Sequence, residues 1–71
     1  MVSEVQSVLF DKKYWDVNTA IQWLITHGFA HDDIDIKKRF IRFRQHDPSM
    51  YRRMRTKKIY GYGIDLVIGF L

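Results

Sequence analysis

The sequence DVNTAIQWLITHG, at residues 16–28, contains the segment that decides the fold. Its apolar residues recur every three or four positions, which predicts a helix with one face turned toward a core. That face consists of Val17, Ala20, Ile21 and Leu24, and Trp23 and Ile25 widen it. Asp16 is a favoured N-cap, and Gly28 is the residue type preferred just after a helix end. We therefore predict a helix that begins after Asp16 and runs to about His27.

The apolar segments on either side of this helix have the short length and the alternation typical of strands. The predicted strands are residues 5–10, 39–45, 55–59 and 64–68, with a brief extended piece at 34–36. Residues 50–54 are expected to form a basic, mobile connection, and residues 60–63 a glycine-containing turn. In the strand at 39–45, Ile41 and Phe43 should face inward and Arg42 and Arg44 outward.

These segments together predict one small α+β domain that spans residues 1–71. Its element order is β-α-β-β-β, and its sheet has three or four strands in an antiparallel or mixed arrangement. The single helix is expected to pack on one face of that sheet. Because the chain is short and has no cysteine to form a disulfide, we also expect it to gain stability by pairing with a copy of itself.

Charge is distributed unevenly along the chain. Residues 37–58 contain ten of the twelve Lys and Arg residues and one acid, Asp47, so this segment carries a net charge of +9. The rest of the chain carries −5, and the total is +4. The ten basic residues are Lys37, Lys38, Arg39, Arg42, Arg44, Arg52, Arg53, Arg55, Lys57 and Lys58. Such a basic segment with few acids is typical of a surface that binds a polyanion.

The same ten residues are therefore the predicted nucleic-acid site. Arg42 and Arg44 lie about 7 Å apart on one face of a strand, close to the spacing of successive phosphates along DNA. Lys57 and Lys58 alternate, so only one of them can join that face. The alternative interpretation is a solvated surface that keeps the protein soluble, but such a surface usually mixes both signs of charge.

Duplex DNA without strong sequence preference is the predicted partner, because the helix carries no Lys or Arg and no base-reading motif is present. The aromatic residues Phe40, Tyr51, Tyr60 and Tyr62 leave two interpretations open. They stack on the bases of a single strand, or they pack in the core and the turn. Packing is the interpretation that we favour at this point. We expect Trp15 and Trp23 to anchor the core.

Several other classes of protein are disfavoured by the sequence. His27, His31 and His46 match no common zinc spacing, and a cation site at Asp32, Asp33 and Asp35 would need more oxygen ligands and a turn glycine. No nucleophile–base pair, phosphate-binding loop or carboxylate pair is found, so we expect a non-enzymatic protein with no cofactor and no small-molecule substrate. The first residues lack the basic flank and apolar run of a secretion signal, and no apolar segment approaches the length that crosses a membrane, so we expect no membrane partner.

Fragments distributed over nearly the whole chain resemble a known small domain. These fragments are Val5–Phe10, Trp15, Ala20, Trp23-Leu24, His27-Gly28-Phe29, Arg42–Gln45, Asp47-Pro48, Arg55–Ile59, Gly63-Ile64 and Leu66–Phe70. Together they resemble an uncharacterised domain of tailed phages and of large DNA viruses, including virion proteins of marseillevirus-like giant viruses. Two segments depart from the phage pattern: Lys37-Lys38-Arg39, where acidic or neutral residues are more usual, and the added Arg52-Arg53.

The resemblance implies a virion protein that is made in the host cytoplasm or in a viral factory. Combined with the basic segment, it predicts a protein that helps to condense or package a viral genome. The competing prediction is a virion structural module that docks onto another protein, through apolar groups near Phe70-Leu71 and a sheet edge, with no nucleic-acid role. A further expectation is head-to-tail association, in which the basic face of one copy meets the acidic face of another.

Overall fold

The computed structural model describes residues 2–60 and 62–71, with the side chains of residues 59 and 60 left out. The elements in chain order are β1 (Ser3–Asp11), α1 (Val17–Thr26), β2 (Ile34–Ile36), β3 (Phe40–Arg44), a 3-10 helix (Pro48–Met50), β4 (Arg53–Tyr60) and β5 (Ile64–Phe70). The α+β class and the single helix packed on a sheet are thus as predicted.

Both ends of α1 are closed by the residues that the sequence indicated. At the start, the backbone N–H of Thr19 donates to Oδ1 of Asp16 at 2.8 Å, and the Thr19 hydroxyl accepts from the Asp16 N–H at 3.1 Å. This reciprocal pair is a capping box. At the end, Gly28 has a φ of +78°, and the N–H of Phe29 donates to the Leu24 carbonyl at 2.9 Å. The helix therefore ends in a left-handed glycine that returns the chain to the sheet.

The sheet is larger and more regular than predicted. Within the described residues it has five strands in the order β2-β3-β1-β5-β4, and every neighbouring pair is antiparallel. The expectation of three or four strands was too low because β2, with only three residues, pairs in full with β3. Since β3 and β4 lie on opposite sides of the central pair, the chain between them must cross β1 and β5.

The core lies between α1 and one face of the sheet. Its fully or nearly fully buried members are Val8, Phe10, Ala20, Leu24, Ile41, Phe43, Ile64 and Leu66. Phe10 lies at the centre and meets Trp15, Trp23 and Phe43 edge-on, with ring centroids 5.1, 5.7 and 5.6 Å apart. Both tryptophans pack against this core, as expected. Ile25, in contrast, is 54% exposed and does not widen the packed surface of the helix.

The segment from Arg44 to Arg53 crosses the other face of the sheet. The prediction that residues 50–54 form a mobile connection is wrong, because this stretch begins in the 3-10 helix and ends in β4, which already starts at Arg53. The ring of Tyr51 lies directly over Gly69, where an added Cβ would approach ring carbons to 2.5 Å. Its hydroxyl donates to Oε1 of Glu4 at 2.8 Å. Glycine at position 69 therefore makes room for the aromatic ring that holds this crossing in place.

The contacts of Tyr51 give a pH-dependent prediction. Partial burial and the hydrogen bond to Glu4 raise the pKa of Tyr51 from its ordinary value of 10.0 to about 12. The stabilising effect of the neutral hydroxyl is complete below pH 10 and is lost as the pH rises through about 12. Titration of the tyrosine ultraviolet absorbance should contain one late step, and Tyr51→Phe should remove that step. If Tyr51→Phe instead removed amplitude from the ordinary step near pH 10 and left the late step in place, the contact with Glu4 would be contradicted.

The turn before β5 also depends on a glycine. Gly63 has a φ of +78°, and a Cβ at this position would lie 2.8 Å from Cδ2 of Tyr14 and 2.9 Å from Cβ of Asp11. The N–H of Asp11 donates to the Gly63 carbonyl at 2.8 Å. The prediction that this turn uses glycine with positive φ is confirmed at Gly63, whereas Gly61 lies outside the described residues. The turn is thereby tied to the end of β1.

Candidate nucleic-acid interface

Strand pairing decides which basic side chains share the face of the sheet opposite α1, which we call the open face. Residues directly paired across antiparallel strands point to the same side. Arg42 pairs with Leu9, Leu9 with Asp65, and Asp65 with Lys58, which forms one row across four strands. Arg44 pairs with Ser7 in the next row. The open face therefore carries Arg42, Arg44 and Lys58 together with two acids, Asp65 in the same row and Asp35, which pairs with Arg42 on β2. Lys58 is the member of the Lys57–Lys58 pair that joins this face.

A concave basic surface lies at one end of the open face. Five cationic residues line it, together with Asp11 and Phe40, and its volume is about 610 Å³. We call these five residues the basic rim: Lys12, Lys13, Lys38, Arg39 and Lys58. With Asp11 as the one acid that lines the same surface, the rim and its floor carry a net charge of +4. Like charges held this close together need a polyanion or solvent to neutralise them.

Backbone contacts between two loops build the rim. The N–H of Lys12 donates to the Arg39 carbonyl at 2.9 Å, which joins the end of β1 to the β2–β3 hairpin. Nζ of Lys12 also lies 3.3 Å from the Lys37 carbonyl oxygen. The hairpin itself is closed by the N–H of Lys37, which donates to the Phe40 carbonyl at 2.8 Å. Residues that are far apart in sequence thus meet at one end of the sheet.

Lys12 and Lys13 are site residues that the sequence reasoning missed. They were grouped with the acidic remainder because they precede the basic segment by more than twenty positions. The sequence feature that could have identified them is their position directly after β1, which pairs with the basic β3. That pairing is not evident from the sequence, so their position alone does not show which basic residues they meet.

The acids of the chain neutralise few of the ten predicted site residues. Among the described residues, Lys37 is the one member in a salt bridge, with 3.0 Å between its Nζ and Oδ2 of Asp35. Arg42 and Arg44 are half-buried, and the Nε atom of each is shielded from solvent with no hydrogen-bond partner in the described part of the chain. The side chains of these two arginines therefore lie along the open face, with part of each guanidinium removed from solvent.

The remaining predicted site residues lie along an outer edge of the sheet. We call them the basic edge: Arg52, Arg53, Arg55 and Lys57. Arg53 and Arg55 pair with Phe70 and Ile68, so they point to the helix side of β4 and away from the open face. The guanidinium of Arg53 lies over the Phe70 ring, 4.9 Å from its centroid. The ten predicted residues thus do not form one face, because the alternation of β4 divides them.

The two edge strands of the sheet differ in the charges that they carry. β4 is rich in Arg and Lys, whereas β2 contains Asp35 and follows directly after Asp32 and Asp33. Charged residues on an edge strand oppose unwanted pairing with other sheets, which is a sufficient structural reason for the basic edge. The same arrangement is compatible with head-to-tail association of copies, which stays a prediction.

The contacts of His27, His46 and Asp47 are with neighbouring groups of the chain itself. The ring of His27 stacks on Trp23 with centroids 3.9 Å apart, at the end of α1. His46 Nε2 lies 3.9 Å from Glu4 Oε2. The Ser49 N–H donates to Oδ1 of Asp47 at 2.9 Å, and this hydrogen bond keeps the pKa of Asp47 below its ordinary value. In the residues described, no group of three His, Asp or Glu side chains is placed to hold a metal ion.

No helix among the described residues combines the length and the apolar character needed to cross a membrane. Comparison of the chain with protein families, with curated proteins and with solved structures finds no match. The argument for function therefore depends on the geometry of the basic surfaces, and the viral resemblance stays a prediction.

Proposed function

We propose that this protein binds double-stranded DNA without strong sequence preference, through the basic rim and the arginines of the open face. The observation that carries the proposal is the concave rim, where Lys12, Lys13, Lys38, Arg39 and Lys58 surround one surface. Among the described residues none of these five is in a salt bridge with an acid. A cluster of cations that no acid neutralises, on a concave surface, concentrates the electrostatic field and attracts phosphates.

The shape of the surface favours contacts with the DNA backbone over reading of bases. Three strand spacings separate Arg42 from Lys58, which is about 14 Å at roughly 4.8 Å per strand. Cations distributed over that width can meet phosphates on both sides of a groove. Sequence reading would require an element inserted into the groove, and α1 carries no Lys or Arg and packs against the core. Binding should therefore depend on phosphate charge and depend little on sequence.

The proposed biological role follows from combining this surface with the viral resemblance. A small basic protein that binds DNA of any sequence would neutralise and condense a genome, which suits packaging into a virion. The competing role, docking onto a protein through Phe70-Leu71, has less support. The Arg53 guanidinium lies over the Phe70 ring, so a charged group occupies part of the surface on which an apolar partner would dock.

Co-purification distinguishes the two roles. The recombinant protein should elute with nucleic acid at low ionic strength and lose it at about 1 M salt, where phosphate contacts are screened. Two duplexes of equal length and unrelated sequence should then bind with affinities within about threefold of each other, because phosphate contacts carry no sequence information. Protein that is free of nucleic acid at every salt concentration, and that binds neither duplex, would contradict the proposal and favour the docking module.

A further inference from the structure

An aromatic groove lies beside the rim and is not used by duplex binding. Its lining consists of Tyr14, Trp15, Trp23, Tyr62 and Ile64, and its volume is about 500 Å³. Tyr14 and Tyr62 are 69% and 74% exposed. The groove is therefore open to solvent and presents aromatic surface on more than one side.

The groove is held in a fixed shape by contacts within the chain. Nε1 of Trp15 donates to the Tyr62 carbonyl at 2.7 Å, which joins the β1–α1 loop to the turn before β5. The ring of Tyr14 lies against Gly63, at a distance that leaves no room for a Cβ. Trp15 also packs edge-on against the buried Phe10. A ligand that enters the groove thus meets rings that are already in position, which reduces the entropic cost of binding.

The groove and the rim share the same end of the sheet. Lys12 and Lys13 directly precede Tyr14, and the Asp11 side chain, which lines the rim, also lies against Gly63. Lys58, on the far side of the rim, pairs with Asp65, the residue after Ile64. The rim lies on the open face and the groove on the helix side, and residues 11–14 connect the two surfaces around the end of β1.

We infer that the groove receives an unpaired nucleobase from a strand whose phosphates lie on the basic rim. This inference rests on the proposed function and deepens it, because it adds a preference for duplexes that have a single-stranded end or gap. Lysines that bind phosphates beside rings that stack on bases are the combination by which proteins hold single strands. A peptide with apolar side chains would also fit an aromatic surface, but it would make no use of the five neighbouring cations.

The test compares three DNA ligands of the same duplex sequence: a blunt duplex, the duplex with a three-thymidine overhang, and the duplex with an abasic overhang of equal length. The abasic overhang supplies the same phosphates without bases. We expect the thymidine overhang to bind about tenfold more tightly than the abasic one, which is within the range found for base–aromatic stacking. Its binding should also quench the fluorescence of Trp15 and Trp23, which line the groove.

Tyr62 supplies the matched variants, because its exposed side chain can be changed while the backbone carbonyl that binds Trp15 remains. Tyr62→Ala should remove most of the preference for the thymidine overhang and leave the affinity for blunt duplex unchanged, whereas Tyr62→Phe should retain the preference. Equal binding of the thymidine and abasic overhangs, or a full preference in Tyr62→Ala, would overturn the inference and leave duplex binding intact. Failure of all three ligands to bind would overturn the proposed function as well.

Discussion

Replacing Lys12, Lys38, Arg39 and Lys58 together by glutamine is expected to weaken duplex binding by on the order of 10³-fold at about 0.1 M salt. These four residues belong to the rim that surrounds the 610 Å³ concave surface. Each phosphate contact contributes about 0.9 to the slope of log affinity against log salt, which amounts to roughly eightfold in affinity between 1 M and 0.1 M salt. Glutamine keeps most of the side-chain length and removes the charge, so the fold should persist. Fluorescence polarisation with a labelled duplex measures the loss.

The basic edge supplies a control with the same change in net charge. A second variant carries glutamine at Arg52, Arg53, Arg55 and Lys57, which lie on or beside β4 and away from the rim. Because both variants lose four positive charges, any general attraction between protein and DNA decreases equally in the two. The edge variant should retain at least tenfold more affinity than the rim variant, since long-range attraction is largely screened at this salt concentration. An edge variant that loses as much affinity as the rim variant would contradict an interface confined to the rim and would include the basic edge in it.

The largest expected effect on stability is that of Phe10→Ala. Phe10 is fully buried and lies edge-on to Trp15, Trp23 and Phe43. Its ring therefore connects β1 to the helix, to the β1–α1 loop and to β3. Removing such a ring costs about 3–5 kcal/mol, while a chain of this length has a total unfolding free energy of about 4–10 kcal/mol. We expect the variant to be largely unfolded at physiological temperature, as measured by circular dichroism and urea denaturation.

Ile25→Ala is the control for this change. Ile25 lies on the same helix as core residues, but it is 54% exposed, so its truncation should alter the unfolding free energy by no more than about 0.5 kcal/mol. If Phe10→Ala unfolded at the same urea concentration as Ile25→Ala, the position of Phe10 at the centre of the core would be wrong.

The helix and its caps could be predicted from the sequence because they depend on residues close together in the chain. The interactions of Asp16 with Thr19 and of Phe29 with Leu24 span three and five positions. The inward alternation of Ile41 and Phe43, and the outward direction of Arg42 and Arg44, are likewise consequences of strand geometry alone.

The parts that could not be predicted depend on contacts between distant segments. β4 begins at Arg53, two residues before the predicted strand at 55–59. The sequence does not indicate this start, because the side chains of residues 53–58 are all exposed and show no apolar alternation. The position of Tyr51 over Gly69 joins residues eighteen positions apart across the open face. The inclusion of Lys12 in the rim depends on its backbone contact with Arg39, which only the strand order brings about.

The division of the basic residues has the same origin. A count of charges along the chain treats residues 37–58 as one group, but β3 and β4 lie three strands apart, and alternate residues of β4 point to opposite faces. Two basic surfaces result: the rim and the edge. Their different positions make the matched glutamine variants informative, because a single charged surface would not allow that comparison.

The dependence of duplex affinity on salt concentration is the most direct test of the claim that phosphates neutralise the basic rim. The contacts of the five rim cations alone should contribute about −4.5 to the slope of log affinity against log salt. The rim glutamine variant should lower the magnitude of the slope by about 3.6, since four of those five cations are removed. A slope near zero for the unmodified protein, or an equal slope in the rim variant, would contradict the account.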